Sequence, residues 1–517
     1  MRIGVLGGTF DPIHNGHISM AKHILHEFKL DKVLIMVASV PPHKDRPVTR
    51  GELRFEMAST ACSAYGECIE PCGLELKRYG KSYTSDTLRE LRAMYPADDI
   101  YYIVGSDMLE NIPSWHEPDV ILKLCTIICV RRGRKFDDEH SAQTLRREYD
   151  ARVCFSGMER VDISSTMIRE RVFNAEPIRA LVPRGIESII YENALYMPES
   201  IKIMCDKLKA SLSPKRFRHS AGASLEAVEL AAKYGVDAKL ARVAGLLHDC
   251  ARYDIAKQLE TAERAGIDAT TALEKPEGLL HSAIGAFVAK TEYGIDDARI
   301  LDAISAHTAG CINMTPLQKI VYLADKLEPS RDYEGVDFLR SKAAEGLDAG
   351  VVAAMSHCID YITKSGRPLD KSILHAREYI IQKANGGNAL DAKTKEQVLG
   401  ICKVLYNKKA EDISAIYVAD KTIIAEWFVI CSGRSVPQVK ALCDELDEKH
   451  PEMGLDLRRK EGYAEGRWIV MDFGNILVHI FHPDERKYYN MERLWIDSPE
   501  SIIDYSRIAD AEEDKNQ

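Results

Sequence analysis

Two residue patterns in this chain could do chemistry. The first follows an apolar run at 3–6 and reads Gly7-Gly8-Thr9-Phe10-Asp11-Pro12-Ile13-His14-Asn15-Gly16-His17. A glycine pair after a first strand lets backbone approach a ligand closely, and the N-terminus of a following helix offers free N–H groups to phosphate. The segment is neither a phosphate loop closed by Gly-Lys-Ser/Thr nor a GxGxxG dinucleotide turn. Its mark is the pair His14 and His17, which a helical first turn places on one side. Imidazoles so placed can hydrogen-bond phosphate oxygens and stabilise charge building on a phosphorus under attack. The second pattern is spread over separate segments: His219, the doublet His248-Asp249, His281, His307 and Asp325. Imidazole and carboxylate ligands from several helices can converge in a bundle core and leave positions open for water and substrate. Any one of these histidines alone is an ordinary core or surface residue. As an ordered set they argue more, because Leu246-Leu247-His248-Asp249 and Tyr322-Leu323-Ala324-Asp325 embed polar groups in apolar stripes. Burying such groups without partners costs several kcal/mol, so a metal or an ion pair is expected.

The elements that must position these residues change texture along the chain. Residues 1–197 alternate short apolar runs (3–6, 33–37, 100–104, 125–130) with helix-patterned stretches such as Thr84–Met94, which reads as βα units around a parallel sheet. From 198 to 386 strand signals nearly vanish and apolar residues recur at helical spacing, as in Leu225, Val228, Ala232 and Leu240, Val243, Leu247. This stretch is expected to be all-helical. Asn385-Gly386-Gly387-Asn388 reads as a linker, and short linkers suggest independent domains with no shared core. A smaller α/β block is expected over 393–505, with strands at 423–431, 468–473 and 476–482. It has no constellation for chemistry, which points to recognition. Its His479 and His482 do not read as paired metal ligands, because alternation on a strand sends one to each face.

The 517 residues allow roughly three or four domains of ordinary size. With 45% hydrophobic and 29% charged residues, large-scale disorder is excluded, and a net charge of −10 argues against a whole-chain nucleic-acid binder. The longest apolar runs, 33–40 and 124–130, fall far short of the roughly 20 residues a membrane span needs. The N-terminus lacks the basic and apolar regions of a signal peptide. A cytoplasmic location with no membrane partner is expected. The 13 cysteines include no CxxC and read as reduced, mostly buried small hydrophobes.

Further segments narrow the first block: Pro41-Pro42-His43-Lys44, Arg54-Phe55-Glu56-Met57, Ser82-Tyr83-Thr84-Ser85-Asp86-Thr87-Leu88, Gly105-Ser106-Asp107, Trp115, and Ile163-Ser164-Ser165-Thr166-Met167-Ile168-Arg169. With the GGTFDPxHxGH segment they resemble the bacterial nicotinate-nucleotide adenylyltransferases of the HxGH nucleotidyltransferase superfamily. Phosphopantetheine adenylyltransferases share only the first and last of these motifs. The resemblance implies a Rossmann-like α/β domain in which a mononucleotide phosphate attacks the α-phosphorus of ATP and pyrophosphate leaves. Such a step needs positioning and charge stabilisation rather than a covalent nucleophile. His14 and His17 would cradle the reacting phosphates beside Gly8, Thr9 and Phe10, with Lys44 as a mobile positive charge. Ser164 or Ser165 reads as a helix N-cap whose backbone amides face the triphosphate, with Arg169 as a further clamp. The resemblance also implies that Thr84, Asp107 and Trp115 hold nicotinate mononucleotide and that Mg2+ accompanies ATP.

In the helical block Arg216-Phe217-Arg218-His219, Leu279-Leu280-His281-Ser282, His307-Thr308 and the run from Asp325 through Glu328-Pro329-Ser330-Arg331 join the His248-Asp249 doublet. Together they resemble the HD superfamily of metal-dependent phosphohydrolases, within it the subfamily that splits diadenosine tetraphosphate symmetrically into two ADP. The resemblance implies that His219, His248, Asp249 and Asp325 hold one metal and that His281 and His307 serve a second. Asp249 is then also a catalytic candidate. Iron is the implied metal, although this ligand set equally permits manganese or another divalent ion. Arg252, standing where the subfamily would carry a lysine, and Arg331 would grip the polyphosphate, with Thr308 beside them.

The third block carries Glu426-Trp427-Phe428-Val429-Ile430-Cys431-Ser432-Gly433-Arg434-Ser435, Glu461-Gly462-Tyr463-Ala464-Glu465-Gly466-Arg467-Trp468, Val478-His479-Ile480-Phe481-His482, Tyr488-Tyr489 and Glu492-Arg493-Leu494-Trp495. It resembles the ribosomal silencing factors, which implies binding to protein fourteen of the large ribosomal subunit, obstruction of subunit joining and repression of translation. The expectation is a multidomain protein: a Rossmann-like nucleotidyltransferase domain at 1–197, an all-α HD domain at 198–386 and a small α/β domain at 393–505. Its alternatives are a translation regulator whose nucleotide domains act as sensors, or an HD domain acting on another nucleotide.

Overall fold

The computed structural model describes residues 1–39, 48–78, 82–131, 138–159, 161–267, 279–384, 388–418, 422, 424–495 and 502–506. The chain folds as two compact units, Met1–Arg377 and Glu378–Gln517.

The first unit begins with strands β1 (Arg2–Gly8), β2 (Lys32–Val37), β3 (Ile69–Cys72), β4 (Asp99–Gly105), β5 (Thr126–Val130) and β6 (Val153–Ser156), ordered β3-β2-β1-β4-β5-β6. Every pairing is parallel, as the alternation of apolar runs and helices anticipates. A sheet covered on both faces needs apolar residues throughout, and Ile3, Val5, Met36, Tyr102, Val104 and Ile127 fill one side of this one. The strand order reverses between β1 and β4. In sheets of this kind ligands bind past the carboxyl ends of the strands at such a reversal. Helices α1 (Asn15–Glu27), α2 (Gly51–Cys62), α3 (Thr84–Met94), α4 (Ser106–Leu109), α5 (Pro118–Leu124), α6 (Asp138–Tyr149), α7 (Ser165–Asn174) and α8 (Ile186–Glu192) complete this part.

Pro198 is the N-cap of α9 (Glu199–Ser211), and from there to the end of the unit the described residues contain helices and no strand. These are α10 (Pro214–Tyr234), α11 (Ala238–Leu247), α12 (Ile255–Arg264), α13 (Leu280–Tyr293), α14 (Ala298–Ala306), α15 (Pro316–Leu327), α16 (Val336–Glu345) and α17 (Leu347–Lys364), while α18 (Lys371–Ala384) carries the chain onward. Their starts follow side-chain chemistry: Ser213, Asp237, Asp254, Asp297 and Thr315 each accept a first-turn N–H. Helices α10 and α11 cross closely at Gly245, where a Cβ would stand 2.9 Å from the Ala223 carbonyl oxygen and 3.0 Å from Ala227 Cβ. The helical and sheet parts also join each other. Arg179 pairs with Glu226 of α10 at 2.7 Å, and Arg242 of α11 reaches the C-terminal end of α7.

In the second unit strands β7 (Glu411–Tyr417), β8 (Trp427–Ser432), β9 (Arg459–Glu461), β10 (Trp468–Asp472), β11 (Ile476–Phe481) and β12 (Ile502–Asp504) form a mixed sheet ordered β12-β7-β8-β11-β10-β9. Only the central β8–β11 pair is parallel among them. Helices α19 (Asn388–Asn407) and α20 (Val436–Lys449) cover one face, packing Ile401, Leu405, Leu442 and Leu446 on Val429, Met471 and Val478. Residues 385–387 of the expected linker lie outside the described residues, and Asn388 already opens α19. Residue His482 is not in a strand. It caps α21 (Pro483–Tyr489), its ring accepting the Asp484 N–H, because Pro483 takes the first helical position and ends the ladder. The short helix α22 (Glu492–Trp495) follows. All cysteines are free thiols, most of them buried or half-buried. Among the described residues no helix is long and apolar enough to cross a membrane.

Candidate active sites

At the carboxyl end of β1 the strand ends in small residues, at the switch point of the sheet. A Cβ on Gly7 would lie 2.5 Å from Tyr102 Oη, so only glycine lets the tyrosine of β4 cross the strand there. Gly8 closes the strand, Thr9 follows, and Phe10 turns with a φ of 49° while its ring packs edge-on against His17 at 4.9 Å. His14 caps α1 and His17 sits in its first turn. Their rings stack with centroids 3.6 Å apart, so the spacing read from the sequence does bring both imidazoles to one place. The His14 backbone N–H donates to His17 Nδ1 at 3.3 Å. An accepting Nδ1 leaves the proton of a neutral imidazole on Nε2, where it can be donated to a phosphate oxygen.

The first turn of α7 is tied to the same loop. Ser164 is the N-cap, its Oγ accepting the Met167 N–H at 3.2 Å, and Ser165 Oγ donates to the Pro12 carbonyl at 2.9 Å. Arg169 donates to the Asp11 carbonyl at 2.8 Å. Gly8, Thr9, Phe10, His14, His17, Ser164, Ser165 and Arg169 thus gather around one loop. Thr84, Asp107 and Trp115 gather about β4: Thr84 Oγ1 lies 3.5 Å from Tyr102 Oη, Trp115 packs edge-on to the Tyr102 ring at 6.3 Å, and Asp107 stands in α4 directly past the strand. Lys44 falls outside the described residues.

Two supporting residues were not singled out by sequence reasoning. Arg54, 1% exposed, donates to the carbonyls of Thr9 (2.8 Å), Ala38 (2.6 Å), Ser39 (2.8 Å) and Thr49 (2.7 Å). It stitches the histidine loop to the end of β2, and burial lowers its pKa against the opposing pull of the Asp11 carboxylate. Tyr196, next to the start of the helical part, donates to Asp11 Oδ1 at 2.7 Å. The arginine was visible as a charge within the Arg54–Met57 motif; its acceptors were not.

In the helical part the ordered set converges. His219 comes from α10, His248 caps α11 with Asp249 next to it, His281 lies in the first turn of α13, His307 caps α14 and Asp325 lies in α15. Ligand atoms of His219, His248 and Asp325 lie within 4.8 Å of one another, and so do those of His248, Asp249 and His307. His219 Nε2 is 3.0 Å from Asp325 Oδ1 and 3.1 Å from His248 Nε2. His281 Nε2 is 3.1 Å from both Asp249 Oδ1 and His307 Nε2. All but His219 are buried.

The remaining nitrogens fix what these rings offer. His248 Nδ1 faces the Gly245 carbonyl at 2.8 Å and His307 Nδ1 the Ile304 carbonyl at 2.6 Å. A carbonyl can only accept, so each Nδ1 carries its proton and each Nε2 presents a lone pair inward. Burial pushes the His248 pKa down to about 3, which keeps that ring neutral. Burial opposes ionisation of Asp249 and Asp325 too, yet neighbouring imidazoles for both, and Lys326 for Asp325, hold them well below the usual carboxylate range. Burial also works against a charged His219, but hydrogen bonds to Asp325 and Glu328 raise it to about 9. The donor set of imidazoles and carboxylates, each oriented from behind, fits a divalent transition ion.

The rim is cationic. Arg331 donates to Asp325 Oδ1 at 2.8 Å, Arg252 approaches Asp249 Oδ1 at 3.4 Å, and Thr308 Oγ1 contacts His307 Nε2 at 3.0 Å. Glu328, quoted in its motif but given no role from sequence, accepts from His219 Nδ1 at 3.1 Å and from the Ser330 N–H and hydroxyl at 2.7 and 2.6 Å. Lys326 is a further unforeseen partner, 2.5 Å from Asp325 Oδ2.

In the second unit His479 is buried among Phe428, Trp468 and Phe481, whereas Tyr488 is 80% exposed. No metal-binding group among the described residues includes His479.

A parallel sheet with a stacked histidine pair at its switch point, joined to helices that focus imidazoles and carboxylates, defines a nucleotidyltransferase coupled to an HD-type metal centre. Comparison with known proteins agrees. Residues 5–171 match the family described as cytidylyltransferase-like, 216–330 the HD domain, and 391–517 the family described as ribosomal silencing factor during starvation. A protein of Geobacillus thermodenitrificans named "Probable nicotinate-nucleotide adenylyltransferase" is 38% identical over 208 residues, 40% of this chain and 91% of that one. A Mycoplasma genitalium protein named "Probable nicotinate-nucleotide adenylyltransferase/Ap4A hydrolase" is 30% identical over 337 residues, 64% of this chain and 89% of its own length. A Clostridium acetobutylicum crystal structure, described as a predicted HD superfamily hydrolase involved in NAD metabolism, covers 35% of this chain and 97% of its own at 35% identity, with a TM-score of 0.33. The chain belongs to the nicotinate-nucleotide adenylyltransferase family, in the form joined to an HD domain, and carries a ribosomal silencing factor domain besides.

Proposed function

We propose that this chain transfers an adenylyl group from MgATP to nicotinate mononucleotide, hydrolyses diadenosine tetraphosphate symmetrically to two ADP, and binds the large ribosomal subunit. The stacked His14–His17 pair beside the first turn of α7 carries the first activity. A phosphate oxygen of the mononucleotide attacks the α-phosphorus, its bond to the β-phosphate oxygen breaks, and pyrophosphate leaves. His17 Nε2 donates to oxygens that gain charge, Arg169 and the Ser164–Ser165 turn hold the triphosphate side, and Trp115 with Thr84 and Asp107 holds the nicotinate nucleotide. Turnover of nicotinate against nicotinamide mononucleotide with ATP and Mg2+ tests this reading. Strong preference for the acid supports it, and absence of turnover with both defeats it.

The inward Nε2 lone pairs of His248 and His307 carry the second activity. His219, His248, Asp249, His281, His307 and Asp325 would hold divalent metal, which we take to be iron. Such an ion supplies Lewis-acid charge for cleavage of a phosphate anhydride. Arg252 and Arg331 orient the polyphosphate against that pocket. Product analysis discriminates: two ADP from diadenosine tetraphosphate agrees, and preference for another nucleotide reassigns the domain. The match of residues 391–517 carries the third activity, and the exposed Tyr488 is in keeping with a recognition surface. Co-sedimentation with isolated large ribosomal subunits, in which the chain remains in the supernatant, would defeat it.

A further inference from the structure

Helix α7 supplies Ser165 and Arg169 to the histidine loop, and its other end is held by the helical part of the unit. The last carbonyls of any helix have no partner within it and must find one elsewhere. Arg242, in α11 and 3% exposed, donates from one terminal nitrogen to the Val172 carbonyl at 2.9 Å and to the Phe173 carbonyl at 3.3 Å. A guanidinium at a helix C-terminus also complements the partial negative charge there. Its Nε has no partner among the described residues, so the side chain is held by those carbonyls and by packing.

The anchor is itself fixed from behind. The Arg242 carbonyl accepts from Ser224 Oγ of α10 at 2.9 Å, and the close crossing at Gly245 locks α11 onto α10. Three and four residues beyond that crossing stand His248 and Asp249. One helix thus ends in metal-pocket residues and, near its middle, grips the helix whose first turn meets the nucleotide loop. At about 1.5 Å per residue α7 is about 15 Å long, short enough that a shift at its C-terminal end is carried rigidly to its N-terminal end.

We propose that Arg242 is a positioning residue for adenylyl transfer: the HD part of the chain supplies the anchor that sets α7, and through Ser165 and Arg169 the triphosphate side of the other site. The proposal rests on the adenylyltransferase reading above. It makes a directional statement, because the residues assigned to the nicotinate nucleotide sit about β4, α3 and α4 and not on α7.

The test uses the full-length chain with steady-state kinetics varying each substrate. Arg242→Met keeps most of the buried volume and removes both hydrogen bonds. The expected result is a rise of about five-fold or more in KM for ATP, with KM for nicotinate mononucleotide within about two-fold of wild type. Arg242→Lys keeps the charge but loses the reach to both carbonyls, and should fall between the two. A purely structural role would instead lower the melting temperature and shift both KM values or only kcat. A folded Arg242→Met with wild-type KM for ATP overturns the proposal, as does an equal rise in both KM values. If Arg242→Met does not fold, a wild-type KM for ATP in Arg242→Lys overturns it. Wild-type protein without turnover overturns the adenylyltransferase reading itself, which separates the two failures.

Discussion

Replacing Glu328 by Gln should weaken metal binding in the HD pocket by about 10- to 100-fold while leaving the fold intact. The carboxylate lies directly behind a proposed ligand. Its two oxygens take three donors, the His219 Nδ1–H, the Ser330 N–H and the Ser330 hydroxyl, at 3.1, 2.7 and 2.6 Å. A glutamine has one carbonyl oxygen and an NH2, so whichever way the amide turns, a donor faces a donor. The loss is one charge-assisted hydrogen bond of about 1.5–3 kcal/mol, and 1.4 kcal/mol is a tenfold change in affinity. The assay is titration of Mn2+ by calorimetry on metal-free full-length protein, with thermal melting as the control for folding. The same carboxylate can be disturbed from its other side. A Cβ on Gly222 would stand 2.5 Å from Glu328 Oε2, although glycine to alanine within a helix ordinarily stabilises by about 1 kcal/mol. Gly222→Ala should therefore bind Mn2+ more weakly without the usual gain in stability. Wild-type affinity in folded Glu328→Gln would refute the claim that Glu328 orients His219 for a metal.

His17→Ala should lower kcat/KM for adenylyl transfer by about 100-fold or more with Mn2+ binding unchanged; equal effects on both would dissolve the assignment of the two sites. Gly245→Ala drives a Cβ to 2.9 Å from a backbone oxygen of α10, so it should destabilise the chain by about 1–3 kcal/mol and weaken Mn2+ binding, both read on one preparation. In the second unit burial lowers the His479 pKa from 6.5 to about 4. The unfolded chain then binds more protons than the folded one between those values, so stability is complete above about pH 6.5 and falls as pH drops toward 4, by at most about 3 kcal/mol. His479→Phe should flatten that dependence in acid unfolding followed by tryptophan fluorescence, and an unchanged profile would assign the pH sensitivity to other groups.

What could be read in the sequence was whatever is encoded by spacing along the chain. The bounds of α3, the parallel strands of the first block and the one-sided pairing of His14 and His17 rest on local periodicity and spacing, and His248-Asp249 and Asp325 stand out as polar residues set in apolar stripes; that they share a pocket with His219 and His307 was implied by the resemblance of the ordered motifs and is supplied by the fold. The N-cap role of His482 was also available, since Pro483, Asp484 and Glu485 are the marks of a helix start. The apolar run of β11 leads straight into His482, so the strand pattern masks that start.

Arg54, Glu328 and Arg242 share a different reason for silence. Each acts on acceptors or donors that the fold brings from elsewhere: Arg54 on carbonyls at positions 9, 38, 39 and 49, Glu328 on a ring 109 residues earlier, Arg242 on carbonyls 69 and 70 residues away. Backbone carbonyls carry no residue type, so no motif can announce that an arginine serves them. Short linkers favoured independent domains for the same reason: the texture change at Pro198 is local, whereas the union of sheet and helices within Met1–Arg377 depends on buried partners such as Val172 O and Glu226 that only three-dimensional packing supplies. Residues that do the chemistry must differ from their neighbours in type, and so leave a trace in the sequence. Residues that hold them in place need only be buried beside the right backbone, and their roles become legible when the chain is folded.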